Sequence, residues 1–297
     1  MNIPYTGELA AIATAICWTV GVTLYDAISK RTSTFVVNLV KVVIALTLLS
    51  ACSFFITGSF FPRSIPREAW LFLAVSGLVG FVIGDLFLFR SFAMVGARTS
   101  MIVYSLTPAL AALGGWILLG ERLTLFVIIG MAVTLSGIML VVLRKSDADT
   151  GAVEHRIIGV VFAFIATVCQ AAGYLASKQV MRSMTPIEAT EARLAVAVIG
   201  FAVVLLIAGK LVDLTSAVRD GFIMPRLIIA SVFGPFIGVT LSMVALHAAN
   251  AGVVTTIMAM TPVLLIVPAL FRREKLGIRD VLGAVLAVGG IAMFFIK

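Results

Sequence analysis

Ten apolar runs, joined by short connections, make up most of this sequence. A helix needs roughly 20 apolar residues to cross a hydrocarbon core of about 30 Å, and the runs are close to that length. We number them as spans 1 to 10, and they cover residues 7–28, 33–57, 69–93, 99–119, 123–143, 157–178, 186–208, 227–248, 251–271 and 278–296. Only 12% of the residues are charged, about half the fraction in a soluble domain. We therefore predict an all-α polytopic membrane protein with ten transmembrane helices.

The net charge of +8 does not by itself indicate a nucleic-acid-binding protein. Most basic residues stand at the ends of the apolar runs, where they meet lipid headgroups and set the orientation of the helices. More of them follow odd-numbered spans than even-numbered spans, which places both termini outside the cytoplasm by the positive-inside rule. The N-terminus has no basic region of the kind that begins a cleavable signal peptide, so we expect none.

Motifs for cofactors, metals and hydrolytic chemistry are missing from the sequence. It contains no Walker A motif, no zinc or haem spacing and no Ser-His-Asp arrangement. Cys17, Cys52 and Cys169 lie inside apolar runs without metal-ligand spacing, so we interpret them as packing residues. We expect no cofactor, no metal and no enzymatic activity. An intramembrane enzyme is the weaker alternative, because it needs catalytic residues clustered on facing helices.

The two halves of the chain resemble each other. The matching pairs are Gly7, Cys17 and Gly21 with Gly159, Cys169 and Gly173 at an offset of 152; Gly80, Gly84, Thr107 and Pro108 with Gly234, Gly238, Thr261 and Pro262 at an offset of 154; and Glu121, Gly130 and Gly137 with Glu274, Gly283 and Gly290 at an offset of 153. We predict two five-helix repeats, residues 1–146 and 155–297. Because five is odd, the second repeat is inverted, an arrangement associated with alternating-access transporters. Chance matches between helices rich in small residues are the alternative.

These features resemble a known family. The sequence Gly-Glu-Arg-Leu-Thr at 120–124, followed by Gly130 and Gly137, is similar to the signature of the EamA-type domain of the drug/metabolite transporter superfamily. Residues 273–276, followed by Gly283 and Gly290, look like a weaker second copy. The resemblance implies a ten-helix bundle with a central substrate cavity between the halves, and a role in the efflux of metabolites. Bacterial amino-acid exporters are similar in size and layout. Two departures are Lys41, where members often carry Arg, and the unequal pairs Cys17-Trp18 and Cys169-Gln170.

Charged side chains inside the spans are functional candidates, because each costs about 2.5–3.5 kcal/mol at mid-membrane. Asp85 in span 3 has no cation one turn away. It is a candidate for proton or substrate coupling, and the alternative is a structural partner for a cation such as Lys41. Lys41 in span 2, with Asn38 one turn earlier, matches Arg193 in span 7. We favour a structural role for this basic pair over substrate contact, in which Lys41 would attract a carboxylate.

Glycine and aromatic residues mark further candidates. The glycines of spans 3 and 8, including Gly84 and Gly238, permit close helix approach and bending. Phe81, Asp85 and Phe89 recur at helical spacing in span 3, and Ser242 lies on the matching face of span 8. This face lines a cavity in one interpretation and meets lipid in the other.

Spans 4 and 9 share a polar stretch that ends in Thr-Pro. Each proline removes a backbone hydrogen bond, so a freed carbonyl and nearby hydroxyl groups become candidate solute ligands. A simple packing kink is the alternative. The residues predicted here are Tyr104, Thr107, Pro108, Met258, Thr261 and Pro262, and Trp18, Gln170 and Tyr174 in spans 1 and 6 join them on residue type and depth.

The leading hypothesis is a secondary transporter that exports amino acids or similar small amphipathic metabolites by alternating access. Its expected partners are a small-molecule substrate, the lipid bilayer of the inner (plasma) membrane and, as a candidate coupling ion, the proton. We expect no nucleic-acid partner and a monomer or homodimer. Export of cationic drugs is an alternative that calls for an embedded Glu in span 1, where Glu8 stands only at the start. A passive facilitator is the other alternative.

Overall fold

The computed structural model describes the backbone of residues 4–29, 31–62, 65–142, 153–181, 183–264 and 278–295. Throughout these residues the regular structure is helical. The α-helices are Thr6–Ser29, Thr34–Thr57, Arg67–Val75, Gly84–Tyr104, Thr107–Leu119, Leu125–Val142, Val153–Val180, Pro186–Ile207, Leu211–Arg219, Ile223–Ser231, Val239–Ala248, Ala251–Met258, Thr261–Leu264 and Ile278–Ala292. Two π-helices, Ser76–Ile83 and Val232–Gly238, interrupt spans 3 and 8, and a short 3₁₀-helix, Met293–Phe295, lies near the end of span 10.

Each of the ten predicted spans coincides with helical structure, although span 9 beyond residue 264 lies outside the described residues. Six of the helical segments described are long and apolar enough to cross a bilayer: Thr6–Tyr25, Thr34–Thr57, Arg67–Ser91, Ile157–Val180, Pro186–Ile207 and Ile223–Ala248. Large apolar side chains such as Phe55 and Ile207 are more than four-fifths exposed. Only lipid makes such a surface favourable, so the chain is a polytopic all-α membrane protein.

Spans 3 and 4 form a helical hairpin, although the backbone is helical throughout Gly84–Tyr104. Taken in chain order, the residues of spans 3 and 4 contact span 6 first at earlier and earlier positions, and then at later and later ones. The contacting pairs, in chain order, are Gly80–Gly173, Val95–Gly159, Val103–Thr167 and Gly114–Leu175. The chain therefore reverses direction between Val95 and Val103, as two separate spans require.

The packing between the halves follows an inverted repeat. Span 6 packs on spans 3 and 4 of the first half, and its equivalent, span 1, packs on spans 8 and 9 of the second half. Three further spans each pack on their repeat equivalent: span 2 on span 7, span 4 on span 9, and span 5 on span 10. The boundaries 1–146 and 155–297 stay a prediction, since residues 143–152 lie outside the described part of the chain.

Glycines allow the closest of these approaches. A Cβ atom at Gly173 would lie 2.7 Å from the Cα atom of Gly80, and one at Gly21 would lie 3.5 Å from the Cα atom of Gly234. These two pairs are related by the repeat, and each joins the first span of one half to a π-helical segment of the other. The matched glycines therefore hold the inter-repeat interface together, as small residues do in membranes.

Span 8 begins at a capped helix N-terminus outside the membrane segment. Asp220 accepts hydrogen bonds from the backbone N–H groups of Phe222 at 2.7 Å and Ile223 at 2.9 Å. These bonds, the Ile223 bond first, lower the pKa of the Asp220 carboxyl below its ordinary value, because they favour the charged form. The carboxylate thus satisfies two of the N–H groups that a helix start leaves without partners.

Candidate functional site

An ion pair joins spans 2 and 3. The Nζ atom of Lys41 lies 2.9 Å from Oδ2 of Asp85, and the two side chains are only 13% and 20% exposed. The same ammonium group lies 5.8 Å from the centre of the Tyr25 ring in span 1. Asp85 thus has a cation on a neighbouring helix, as the structural interpretation of this residue requires, and its predicted role in coupling stays a prediction.

Arg193 occupies a different environment in the second half. Its side chain is nearly fully buried, at 3% exposure for the residue, and its guanidinium carbon lies 4.8 Å from the centre of the Phe81 ring in span 3. Nη1 donates to the sulfur of Met243 in span 8 at 3.0 Å. Its Nε atom has no hydrogen-bond partner among the residues described. Arg193 therefore lies at the interface between the repeats, with a sulfur atom and an aromatic ring as its neighbours.

Tyrosines from both halves surround these charged groups. Tyr104 in span 4 and Tyr174 in span 6 lie close enough to the Asp85 carboxylate to feel its charge. The charge of Arg193 also acts on Tyr174, whose side chain forms a hydrogen bond with the side chain of Gln170. The structure thus brings together a buried polar centre with a carboxylate, an amide and phenol groups, at the level where spans 3, 4 and 6 meet.

The two Thr-Pro segments differ from a simple kink inside a helix. The helix before each proline ends, at Tyr104 and at Met258, and a new helix starts after a turn of two residues. Proline is tolerated there because the first N–H groups of a helix need no intrahelical acceptor. The hydroxyl of Thr107 donates to the Tyr104 carbonyl at 2.7 Å.

The second segment repeats this bond, since the hydroxyl of Thr261 donates to the Met258 carbonyl at 3.0 Å. Tyr104 and Met258 are the residues four positions before Pro108 and Pro262, so their carbonyls are the ones that proline frees. These carbonyls and hydroxyls are used locally, which favours the structural role of both segments. The side chain of Pro262 lies outside the described residues.

The remaining predicted residues fall into four groups. Trp18 packs against the backbone at Gly238, and Gly84 packs near Cys169, so these positions form helix contacts. The Ser242 hydroxyl donates to the Val239 carbonyl of its own helix at 2.7 Å. Asn38 is fully buried, and neither polar atom of its amide has a partner within the described chain. Phe89 is half-buried in span 3.

The family is decided by the sequence of both halves together. The model of the EamA-like transporter family matches residues 5–143 and, separately, residues 157–296. The chain belongs to the EamA-like transporter family. It is therefore a membrane transporter of the drug/metabolite superfamily, and the resemblance expected from residues 120–124 is confirmed.

The fold of this EamA-like transporter is similar to that of a protein whose crystal structure has been solved. The TM-score is 0.80 at 17% sequence identity, and the superposition covers 97% of this chain and 95% of the other. At this identity the similarity establishes the fold alone. Among proteins with curated descriptions, none matches the chain.

The sequence does not predict one contact of the EamA-like signature. Glu121 Oε1 lies 2.5 Å from the Lys178 ammonium nitrogen in span 6, and Oε2 accepts the N–H of Ala251 at 2.9 Å. Lys178 also donates to the Ala249 carbonyl. We call this set of contacts the end bridge. A basic residue at the end of span 6 opposite an acidic signature residue was the available signal.

The end bridge borders a cavity of about 550 Å³ on the N-terminal side of the membrane. The cavity is lined by Leu119, Glu121, Lys178, Gln179, Met181, Leu246, His247, Ala248, Ala249 and Asn250. Its lining comes from spans 4, 6 and 8 and their connections, so both repeats contribute to it. Lys178 and Leu246 stand one helical turn beyond Tyr174 and Met243, two neighbours of Arg193. The cavity therefore lies on the N-terminal side of the buried centre.

Proposed function

We propose that this protein exports amino acids, or similar small amphipathic metabolites, across the inner (plasma) membrane by alternating access of its two inverted repeats. The observation that carries the proposal is the composition of the buried centre. It combines a carboxylate, cationic groups and aromatic rings within one inter-repeat region. A zwitterionic solute with an apolar side chain needs these three kinds of group.

The charges of the centre suit a zwitterion. Asp85 supplies a carboxylate for a substrate ammonium group, and the side chains of its ion pair with Lys41 are 13% and 20% exposed. Arg193 supplies a cationic group from the other repeat. Electrostatic interactions are strong in a low-dielectric interior. The ammonium and carboxylate groups of an amino acid therefore bind more favourably here than in a purely apolar cavity.

The inverted packing supports the transport cycle. Because span 1 packs on spans 8 and 9 as span 6 packs on spans 3 and 4, the same set of contacts exists in two orientations. Rocking one repeat against the other exchanges which side is closed, while the centre stays near mid-membrane. Bound solute shifts this equilibrium only through its differential affinity for the two states.

The test is transport into liposomes that contain the purified protein. We expect saturable uptake of labelled amino acids from a broad panel, faster than into empty liposomes, and acceleration by unlabelled amino acid on the opposite side. Acceleration of this kind separates a carrier from a passive facilitator, in which flux in the two directions is independent. Equal rates with and without protein across the panel would remove the amino-acid assignment, and uptake without saturation would favour the facilitator.

The matched variants are Asp85→Asn in the centre and Val43→Ala on the exposed face of span 2. Val43 is in span 2, two residues from Lys41, and is 41% exposed toward lipid. We expect Asp85→Asn to reduce amino-acid flux and Val43→Ala to leave it near the wild-type rate. A similar loss in both variants would indicate a general packing defect.

A further inference from the structure

The buried cation of the second half has lost the counter-ion that its equivalent retains. Arg193 is the repeat equivalent of Lys41 at an offset of 152, and Val239 is the equivalent of Asp85 at an offset of 154. Lys41 forms its ion pair with Asp85 at 2.9 Å. At the corresponding place the second half carries an apolar side chain, and Val239 is 7% exposed.

Among the described residues no carboxylate forms an ion pair with Arg193, since the nearby Asp85 is paired with Lys41. Its contacts are the Met243 sulfur and the Phe81 ring, its charge also acts on the Tyr174 side chain, and Nε has no acceptor among the residues described. A sulfur atom is a weak acceptor. A guanidinium group that is buried without a carboxylate is costly, and a ligand that brings one offsets that cost only while it is bound.

We propose that Arg193 binds the carboxylate group of the transported solute, at the place that Asp85 occupies relative to Lys41. This inference rests on the proposed function and specifies which group recognises the substrate. The guanidinium fork matches a carboxylate with two parallel hydrogen bonds. Phe81 and Met243 beside it provide apolar surface for the rest of the solute, and the cavity one helical turn away lies on the N-terminal side, which is the release side of an exporter whose termini lie outside the cytoplasm.

The first experiment uses the unmodified protein and three probes of one shape: leucine, leucinamide and isocaproate. Leucinamide lacks the carboxylate, and isocaproate lacks the amino group. Each probe is tested for inhibition of labelled amino-acid flux and for ligand-induced stabilisation of the purified protein against heat. We expect both carboxylates to bind at least about tenfold more tightly than leucinamide, because a hydrogen-bonded charge pair is lost with the amide.

The second experiment restores the missing carboxylate inside the protein. Val239→Asp places an acid beside Arg193 by the symmetry of the repeat, and Val239→Asn is the uncharged control of the same shape. We expect Val239→Asp to weaken carboxylate binding by about tenfold or more, with leucinamide affected less, and to melt no lower than Val239→Asn. Arg193→Gln should abolish the preference for leucine over leucinamide, and Arg193→Lys should keep part of it.

The outcomes separate this inference from the proposed function. Equal binding of leucine and leucinamide, or equal weakening by Val239→Asp and Val239→Asn, would overturn the role of Arg193 and leave amino-acid export standing. Binding and flux of isocaproate without flux of any amino acid in the panel would overturn amino-acid export and leave the carboxylate site standing. Melting curves identify a variant that fails to fold, and the probe comparison on the wild type does not depend on any variant.

Discussion

Breaking the end bridge tests how the N-terminal side of the transporter is held together. Glu121→Gln removes the charge that faces Lys178 and keeps an acceptor for the Ala251 N–H. Lys178→Met removes the cation and keeps a side chain of similar length. The double variant removes both charges. Because the bridge joins spans 4, 6 and 9, each single change leaves one charge poorly solvated between the two repeats.

The magnitude follows from the burial of the pair. Its atoms are 2.5 Å apart and its side chains are 16% and 9% exposed. Removing one partner of a fully buried pair costs about 3–5 kcal/mol, and partial exposure reduces this to about 2–3 kcal/mol. In a chain of this size each kcal/mol lowers the melting temperature by about 2–4 °C. We therefore expect losses of roughly 4–12 °C for either single variant.

The assay is a double-mutant cycle on the melting temperature, measured at one heating rate because membrane proteins often unfold irreversibly. The double variant should lose less than the sum of the two single variants, with a coupling energy of about 1–3 kcal/mol. Arg122→Gln, at an exposed neighbouring position, is the control and should melt close to the wild type. Additive losses, with no coupling between Glu121 and Lys178, would refute the reasoning.

Three further predictions concern other parts of the fold. A Cβ at Gly173 would lie 2.7 Å from the Cα of the facing glycine in span 3, so Gly173→Ala should lower both the melting temperature and flux, whereas Gly289→Ala, which meets nothing within 4 Å, should leave both unchanged. The pKa of Asp220 is lowered from 3.8 in the folded protein, so its capping stabilises the fold above that pH. The stabilisation is lost as pH falls through the lower pKa of the folded state. The melting temperature of Asp220→Asn should lack this dependence on acid pH, and identical pH dependence in the variant and the wild type would contradict the prediction. Asp85→Asn leaves Lys41 buried without a counter-ion, so we expect a lower melting temperature, partly restored by adding Lys41→Met, and a changed pH dependence of flux; an unchanged pH profile would exclude a role of Asp85 in coupling.

The sequence predicts the spans and the repeat well because both depend on local and periodic properties. Apolar length is read directly from residues such as those of span 2, which the helix Thr34–Thr57 matches closely. Small residues that must face another backbone leave the same mark in both halves, and Gly80 and Gly173 meet as that pattern requires. The all-α membrane fold and the EamA-like family follow from these properties.

The sequence does not predict which polar groups meet across the interface. Asp85 lacks a cation on its own helix, so its partner depends on how spans 2 and 3 pack, and Lys41 was only one of several possibilities. The Thr-Pro segments are a second example. Whether the Tyr104 carbonyl is free depends on one hydroxyl rotamer of Thr107, which no spacing rule determines. The sequence also does not predict the π-helical form of residues 76–83, which lie against span 6.

The differences between the repeats bear on the direction of transport more than their likeness does. A perfectly symmetric carrier would have two closed states of equal energy, because each contact on one side would recur on the other. The end bridge breaks this symmetry in the sequence itself. Its Glu121 and Lys178 correspond to Glu274 and Asp26, at offsets of 153 and 152, and two acids cannot form the same ion pair. In the proposed alternating-access cycle, closing the second side would therefore use other partners, and the two closed states would differ in energy. A tenfold bias between them requires only about 1.4 kcal/mol, so a contact present on one side and missing from the other is enough to favour one closed state.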